Sequence, residues 1–98
     1  MNVEFRAQPG HADELESILL EAAEGTRDEE ACRLYVVSRS PEEELTVWVT
    51  EAWMSRDAHD ASLADPATRA VIARAMPLLD GAPRATPLLP RGGKGLEL

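Results

Sequence analysis

The chain is 98 residues long, 44% hydrophobic and 29% charged, with a net charge of −8. These proportions suit one soluble domain with a radius of gyration of about 13 Å, and they argue against global disorder. A single lysine, Lys94, in so acidic a chain speaks against nucleic acid as a partner, because phosphate backbones need clustered Lys and Arg, and no apolar run is long enough to span a membrane.

The opening residues lack the basic-then-apolar pattern of a secretory leader, so the cytoplasm is the expected location. Asn2 to Ala7 reads as a strand, with Val3 and Phe5 on one face and Glu4 and Arg6 on the other. Pro9 and Gly10 break it. From His11 to about Thr26, Ala12, Leu15, Ile18, Leu19, Ala22 and Ala23 recur at three- and four-residue spacing, which predicts an amphipathic helix with Glu14, Glu16, Glu21 and Glu24 on its wet side. A polar link leads to a second strand in which Cys32, Leu34 and Val36 alternate with Arg33, Tyr35 and Val37. Cys32 is the single cysteine, so no internal disulfide is possible, and its place suggests a small core residue. Ser40, Pro41 and Glu42 to Glu44 form a turn, and a five-residue connection pairs Val37 with Val47, Tyr35 with Val49 and Arg33 with Glu51.

Leu45 to Leu63 is the stretch about which the rest is arranged. Leu45, Val47, Val49 and Trp53 alternate with Thr46, Trp48, Thr50 and Ala52, a strand with bulk on both faces that cannot sit at a wet edge. Ser55 is placed to cap a short helix carrying Ala58, Ala61 and Ser62 on one side. Asp65 and Pro66 restart the helix, which runs to about Met76 with Val71, Ile72, Ala75, Met76 and Leu79 as its apolar side. Pro77 and Gly81 end it. A last strand near Arg84 to Leu89 contains Pro87 and belongs at a sheet edge. Residues 1–90 then form the domain, and 91–98 are a tail with too little apolar content to fold alone.

The order strand, helix, strand, strand, helix, strand predicts an α+β, ferredoxin-like split βαββαβ fold, an antiparallel sheet with helices on one face. The other face carries Leu34, Val36 and Trp48, and a two-fold copy of the chain is the simplest cover, so a homodimer is expected.

Pro9-Gly10, Thr26-Arg27-Asp28-Glu29, Cys32 with Leu34 and Tyr35, Glu51-Ala52-Trp53, Ser55-Arg56-Asp57-Ala58, Met76-Pro77-Leu78-Leu79 and Gly92-Gly93-Lys94-Gly95 follow one another here in an order and spacing that resemble the antibiotic biosynthesis monooxygenase family of dimeric α+β barrel proteins. The resemblance implies a cleft between sheet and helices. It implies monooxygenation of a small aromatic or quinol-type molecule with no metal, flavin or other cofactor: the deprotonated substrate itself passes an electron to oxygen. In polyketide-oxidising relatives the strand-to-helix junction carries this tryptophan, an asparagine four residues before it and a tyrosine six after it; here the positions are Trp53, Val49 and His59. Many members have a histidine where this chain has Ser62. The positions that mark haem-degrading relatives are Ser62 and Ile72, so haem chemistry is not expected.

Each candidate also has a plain structural reading. His59 could take a phenolic proton at the cleft mouth, since imidazole titrates near neutrality, or could be a polar residue on an exposed helix side. Trp53 could stack on a ligand ring or fill the core. Tyr35 and Trp48 fall on opposite hairpin faces, so at most one lines a given cleft, and each suits core or dimer packing. Glu51 and Arg33 read as a structural ion pair that could also orient a substrate hydroxyl. His11, Asp13 and Glu14 are an ordinary acidic first helix turn and not a metal site. Gly92 to Gly95 lack the spacing and following helix of a phosphate loop. The leading reading is a cofactor-free monooxygenase with His59 and Trp53 as catalytic residues and Tyr35, Trp48, Glu51 and Arg33 binding substrate. The alternatives are a non-catalytic ligand-binding or structural dimer and an isomerase or lyase of the same fold.

Overall fold

The alternating apolar residues between Thr46 and Trp53 become an inner strand of a four-stranded antiparallel sheet in the structure, a computed structural model that describes residues 1–96. The elements run β1 (Asn2–Arg6), α1 (Ala12–Gly25), β2 (Cys32–Arg39), β3 (Thr46–Trp53), α2 (Arg56–Ser62), α3 (Pro66–Ala75), a 3₁₀ turn (Met76–Leu78) and β4 (Arg84–Thr86). The sheet order is β2-β3-β1-β4, the ferredoxin-like arrangement. The radius of gyration is 13.4 Å, and among the described residues no helix is long and apolar enough to cross a membrane.

The period of two in β3 assigns its faces. Val47 and Val49, fully buried, meet Phe5 and Val3 of β1 across the strand pair and pack with Leu15, Ile18 and Leu19 of α1. Each such side chain, once out of water, contributes about 1.5 to 3 kcal/mol. Trp48 and Val36 point the other way and remain 36% and 43% exposed. The helix boundaries follow local chemistry. Ser55 Oγ accepts from Ala58 N at 3.1 Å to start α2, and Asp65 Oδ1 accepts from Ala67 N at 2.8 Å to start α3, with Pro66 in the first turn where a missing N–H does no harm.

Three expectations need correction. The β2–β3 register is two residues off the expected one: Tyr35 faces Glu51, Val37 faces Val49 and Arg39 faces Val47. The turn causes the shift. Ser40 Oγ accepts from the N–H groups of Glu42 and Glu43, and Thr46 Oγ1 donates to Glu43 O at 2.9 Å, so the connection folds on itself and consumes two more residues. A slip of two leaves every side chain on its expected face. The same shift puts Glu51 opposite Tyr35 and not opposite Arg33, and a bulge between Cys32 and Leu34 makes Arg33 the extra residue on its strand. In α3, Val71, Ala75 and the following Leu78 turn inward at spacings of four and three, whereas Ile72 and Met76, one residue further round, are 43% and 58% exposed. The last strand stops at Thr86 because Pro87 cannot extend the ladder, and β4 is an edge strand as expected. Of the expected tail 91–98, Glu97 and Leu98 lie outside the described residues.

The packing predicts that Leu15→Ala lowers the unfolding free energy by about 2 to 5 kcal/mol, whereas Leu20→Ala, on the wet side of the same helix, costs less than about 1 kcal/mol. Urea denaturation of the two variants checks this, and equal losses would contradict the placement of the core.

Candidate functional site

Along β3 the helix-side face passes from core to cleft. Val47 and Val49 are sealed, and the next two residues on that face are a carboxylate, Glu51, and an indole, Trp53. A carboxylate taken out of water needs hydrogen-bond donors, and Trp53 supplies one: its Nε1–H donates to Glu51 Oε1 at 3.0 Å. After Met54 the chain bends, Ser55 adopts an extended conformation and caps α2, and the last turn of that short helix carries His59 to the indole. The rings meet edge to face, with centroids 5.9 Å apart and planes at 75°.

The polar geometry centres on His59. Its Nε2 lies 3.9 Å from Glu51 Oε1, and its Nδ1 lies 3.1 Å from Asp60 Oδ1. An ionised Asp60 can only accept, so a neutral imidazole bonded to it carries its proton on Nδ1 and turns Nε2 toward Glu51. At 3.9 Å, His59 Nε2 and Glu51 Oε1 are too far apart for a direct hydrogen bond and leave room for one inserted hydroxyl group between them.

These groups border a cleft of about 450 Å³ at the end of the sheet, where β1 begins and β3 and β4 end. Its lining is mostly apolar. Met1, Ala52 and Trp53 form one wall, Ser55, Arg56, His59 and Asp60 a second, and the segment Pro87 to Pro90, with Leu88 and Leu89 largely exposed, crosses the third side. A smaller depression of about 340 Å³ lies against the other side of Trp53, bordered by Thr26, Glu29, Ser62, Asp65 and Thr68. Most of its polar groups are engaged locally: Glu29 accepts from Ala31 N, Asp65 from Ala67 N, and Thr26 and Ser62 donate to Ala23 O and His59 O.

Of the six residues singled out in the sequence, the structure brings Trp53, His59 and Glu51 together at the cleft. Tyr35 sits behind Glu51 across the strand pair, outside the lining. Trp48 faces away on the other side of the sheet, and Arg33 projects at the exposed bulge, so neither borders this cleft. Burial pushes the Tyr35 phenol well above the usual tyrosine range, and the negative charge of Glu51 adds to the effect. Burial likewise raises the Cys32 thiol, which keeps it protonated and fits its reading as a small packing residue. Arg56, Asp60 and the Pro87–Pro90 segment were not foreseen. Asp60 had a signal, its position next to His59; the segment had only its apolar pair between two prolines.

With this geometry in view, the sequence profile of the antibiotic biosynthesis monooxygenase family matches residues 1–74. A protein from Chloroflexus aurantiacus provisionally named as an antibiotic biosynthesis monooxygenase is 35% identical, with a TM-score of 0.81 over 97% of this chain and 94% of that one. One from Caulobacter crescentus with the same provisional name is 30% identical, with a TM-score of 0.78 over 85% of this chain and 79% of its own. A Mycobacterium tuberculosis protein, 23% identical with a TM-score of 0.80 over 93% of this chain, shares the fold. No curated protein matches the chain.

Tyr35 is the single tyrosine, so its ionisation can be followed directly. A phenol whose folded pKa lies above its unfolded value of about 10 contributes stability that is complete below that pH and is lost as the pH rises toward the folded value. Near-ultraviolet titration should show no phenolate until the pH is above about 10, with unfolding accompanying its appearance, and Tyr35→Phe should remove that alkaline loss. Titration of Tyr35 at the ordinary tyrosine value in the folded protein would contradict its placement.

Proposed function

We propose that this chain, which belongs to the antibiotic biosynthesis monooxygenase family, is a cofactor-independent monooxygenase of a small aromatic or quinol-type substrate of the polyketide or hydroquinone class. The family match and the two neighbours that carry its name support a general monooxygenase-type function. The observation that carries the finer reading is the pair His59 Nε2 and Glu51 Oε1, held 3.9 Å apart beside the half-buried indole of Trp53 at the mouth of an apolar cleft.

A phenol seated there packs its ring on Trp53 and gives its hydroxyl proton to His59 Nε2, while Glu51 holds the indole through its N–H. The resulting anion passes one electron to dioxygen, and the two radicals combine with a bond from ring carbon to oxygen. The peroxide then takes up one proton, its O–O bond breaks as the ring carbon gives up its hydrogen, and one oxygen atom stays on the carbon as a carbonyl while the other leaves as water. The protein takes the proton at His59, holds the ring and keeps bulk water off the intermediate with the apolar walls and the Leu88–Leu89 segment.

A second reading has specific support. Val49, where the polyketide-oxidising relatives carry an asparagine, is sealed in the core, and Ser62 is committed to the His59 carbonyl at 2.6 Å. Both favour a ligand-binding or structural dimer without the chemistry. In either case we propose that two copies associate through the open sheet face, burying Trp48 and Val36 about a two-fold axis.

Oxygen uptake with a panel of hydroquinones and hydroxyanthrones separates the readings. The catalytic one predicts uptake by the wild type and a loss of roughly 10²-fold in kcat/KM for His59→Ala. Equal rates for wild type and a His59→Ala, Trp53→Ala double variant would eliminate it. In sedimentation, the wild type should run as a dimer, and Trp48→Glu should weaken association by at least about tenfold; a monomeric wild type would overturn the interface.

A further inference from the structure

We infer that His59 and Asp60 form a proton relay that connects the substrate side of the imidazole, facing Glu51, with solvent, Asp60 being the positioning residue and outer acceptor. The inference rests on the reading of His59 as the group that takes the substrate proton. Its basis is a graded path: the side chains of Glu51, His59 and Asp60 are 11%, 19% and 58% exposed, and the two imidazole nitrogens point toward its opposite ends. Adjacent residues on a helix project about 100° apart and do not ordinarily face each other. Asp60 nevertheless turns back to reach Nδ1 at 3.1 Å, and Ser62 Oγ holds the His59 carbonyl at 2.6 Å, which steadies the short helix beneath the ring.

The proton balance closes within one turnover. The substrate hydroxyl proton enters at Nε2, and the proton already on Nδ1 passes to Asp60 Oδ1 and then to water. The ring is left protonated on Nε2. When the peroxide needs its proton, Nε2 delivers it and a proton returns from water through Asp60 to Nδ1. The starting tautomer is restored, and the ring does not have to flip.

Asp60→Asn keeps an acceptor for Nδ1–H but cannot take up the proton, whereas Asp60→Ala removes both functions. A relay predicts that both variants lose kcat by at least roughly tenfold with KM unchanged, and that added imidazole buffer restores the rate in a concentration-dependent way. Nitrogen NMR of the imidazole should show a proton on Nδ1 in the wild type, with its resonance moved in Asp60→Ala. Wild-type kcat in Asp60→Asn, or a loss that buffer does not rescue, would overturn the relay. A wild type that consumes no oxygen, yet shows the Asp60-dependent Nδ1 signal, would overturn the monooxygenase reading and support the hydrogen-bonded geometry of the relay.

Discussion

The two-residue alternation of β3 is the constraint from which the remaining structure follows. Lying between β1 and β2, the strand has its backbone groups paired on both sides, so its side chains alone decide what each face becomes. On one face Val47 and Val49 anchor α1, and the same face then carries Glu51 and Trp53 into the cleft. On the other face Trp48 stands with Val36 in the open. A single strand therefore supplies the core, one wall of the cleft and the surface proposed for a partner. A shift of one residue would exchange all three.

The junction after β3 converts a strand face into a site. Two residues separate Trp53 from the helix, and the Ser55 cap directs the next turn back across the indole, which is why a helix of seven residues with none buried can still place His59. Glu51 gives the arrangement its rigidity. It is a carboxylate with little exposure, it accepts the Trp53 N–H, and its charge helps to hold the neighbouring Tyr35 phenol neutral. The polar groups sit at the rim, where they meet both the apolar cleft and solvent.

Much of the architecture was legible in the sequence because it depends on period and local caps. Alternation located β1, β2 and β3, the spacing of Leu15, Ile18 and Leu19 located α1, Ser55 and Asp65 marked the helix starts, and Pro87 marked an edge. Register was less accessible, since side-chain hydrogen bonds from Ser40 and Thr46 lengthen the turn without altering the hydrophobic pattern. The same shift removes the expected pairing of Arg33 with Glu51, and the bulge at Arg33 is likewise silent in composition. Trp53, Glu51 and His59 meet at the cleft because strand and helix periods converge there. The Pro87–Pro90 segment was not legible, because its position depends on where β4 ends beside β1 and not on any periodic signal.

Each face of β3 carries one tryptophan, so the two indole N–H signals distinguish the cleft from the open face in one experiment. Titrating the protein anaerobically with a hydroxyanthrone and recording both signals tests directly whether the strand presents Trp53 to ligand. The account predicts that the Trp53 signal moves in a saturable way and the Trp48 signal does not; movement of Trp48 alone would contradict it.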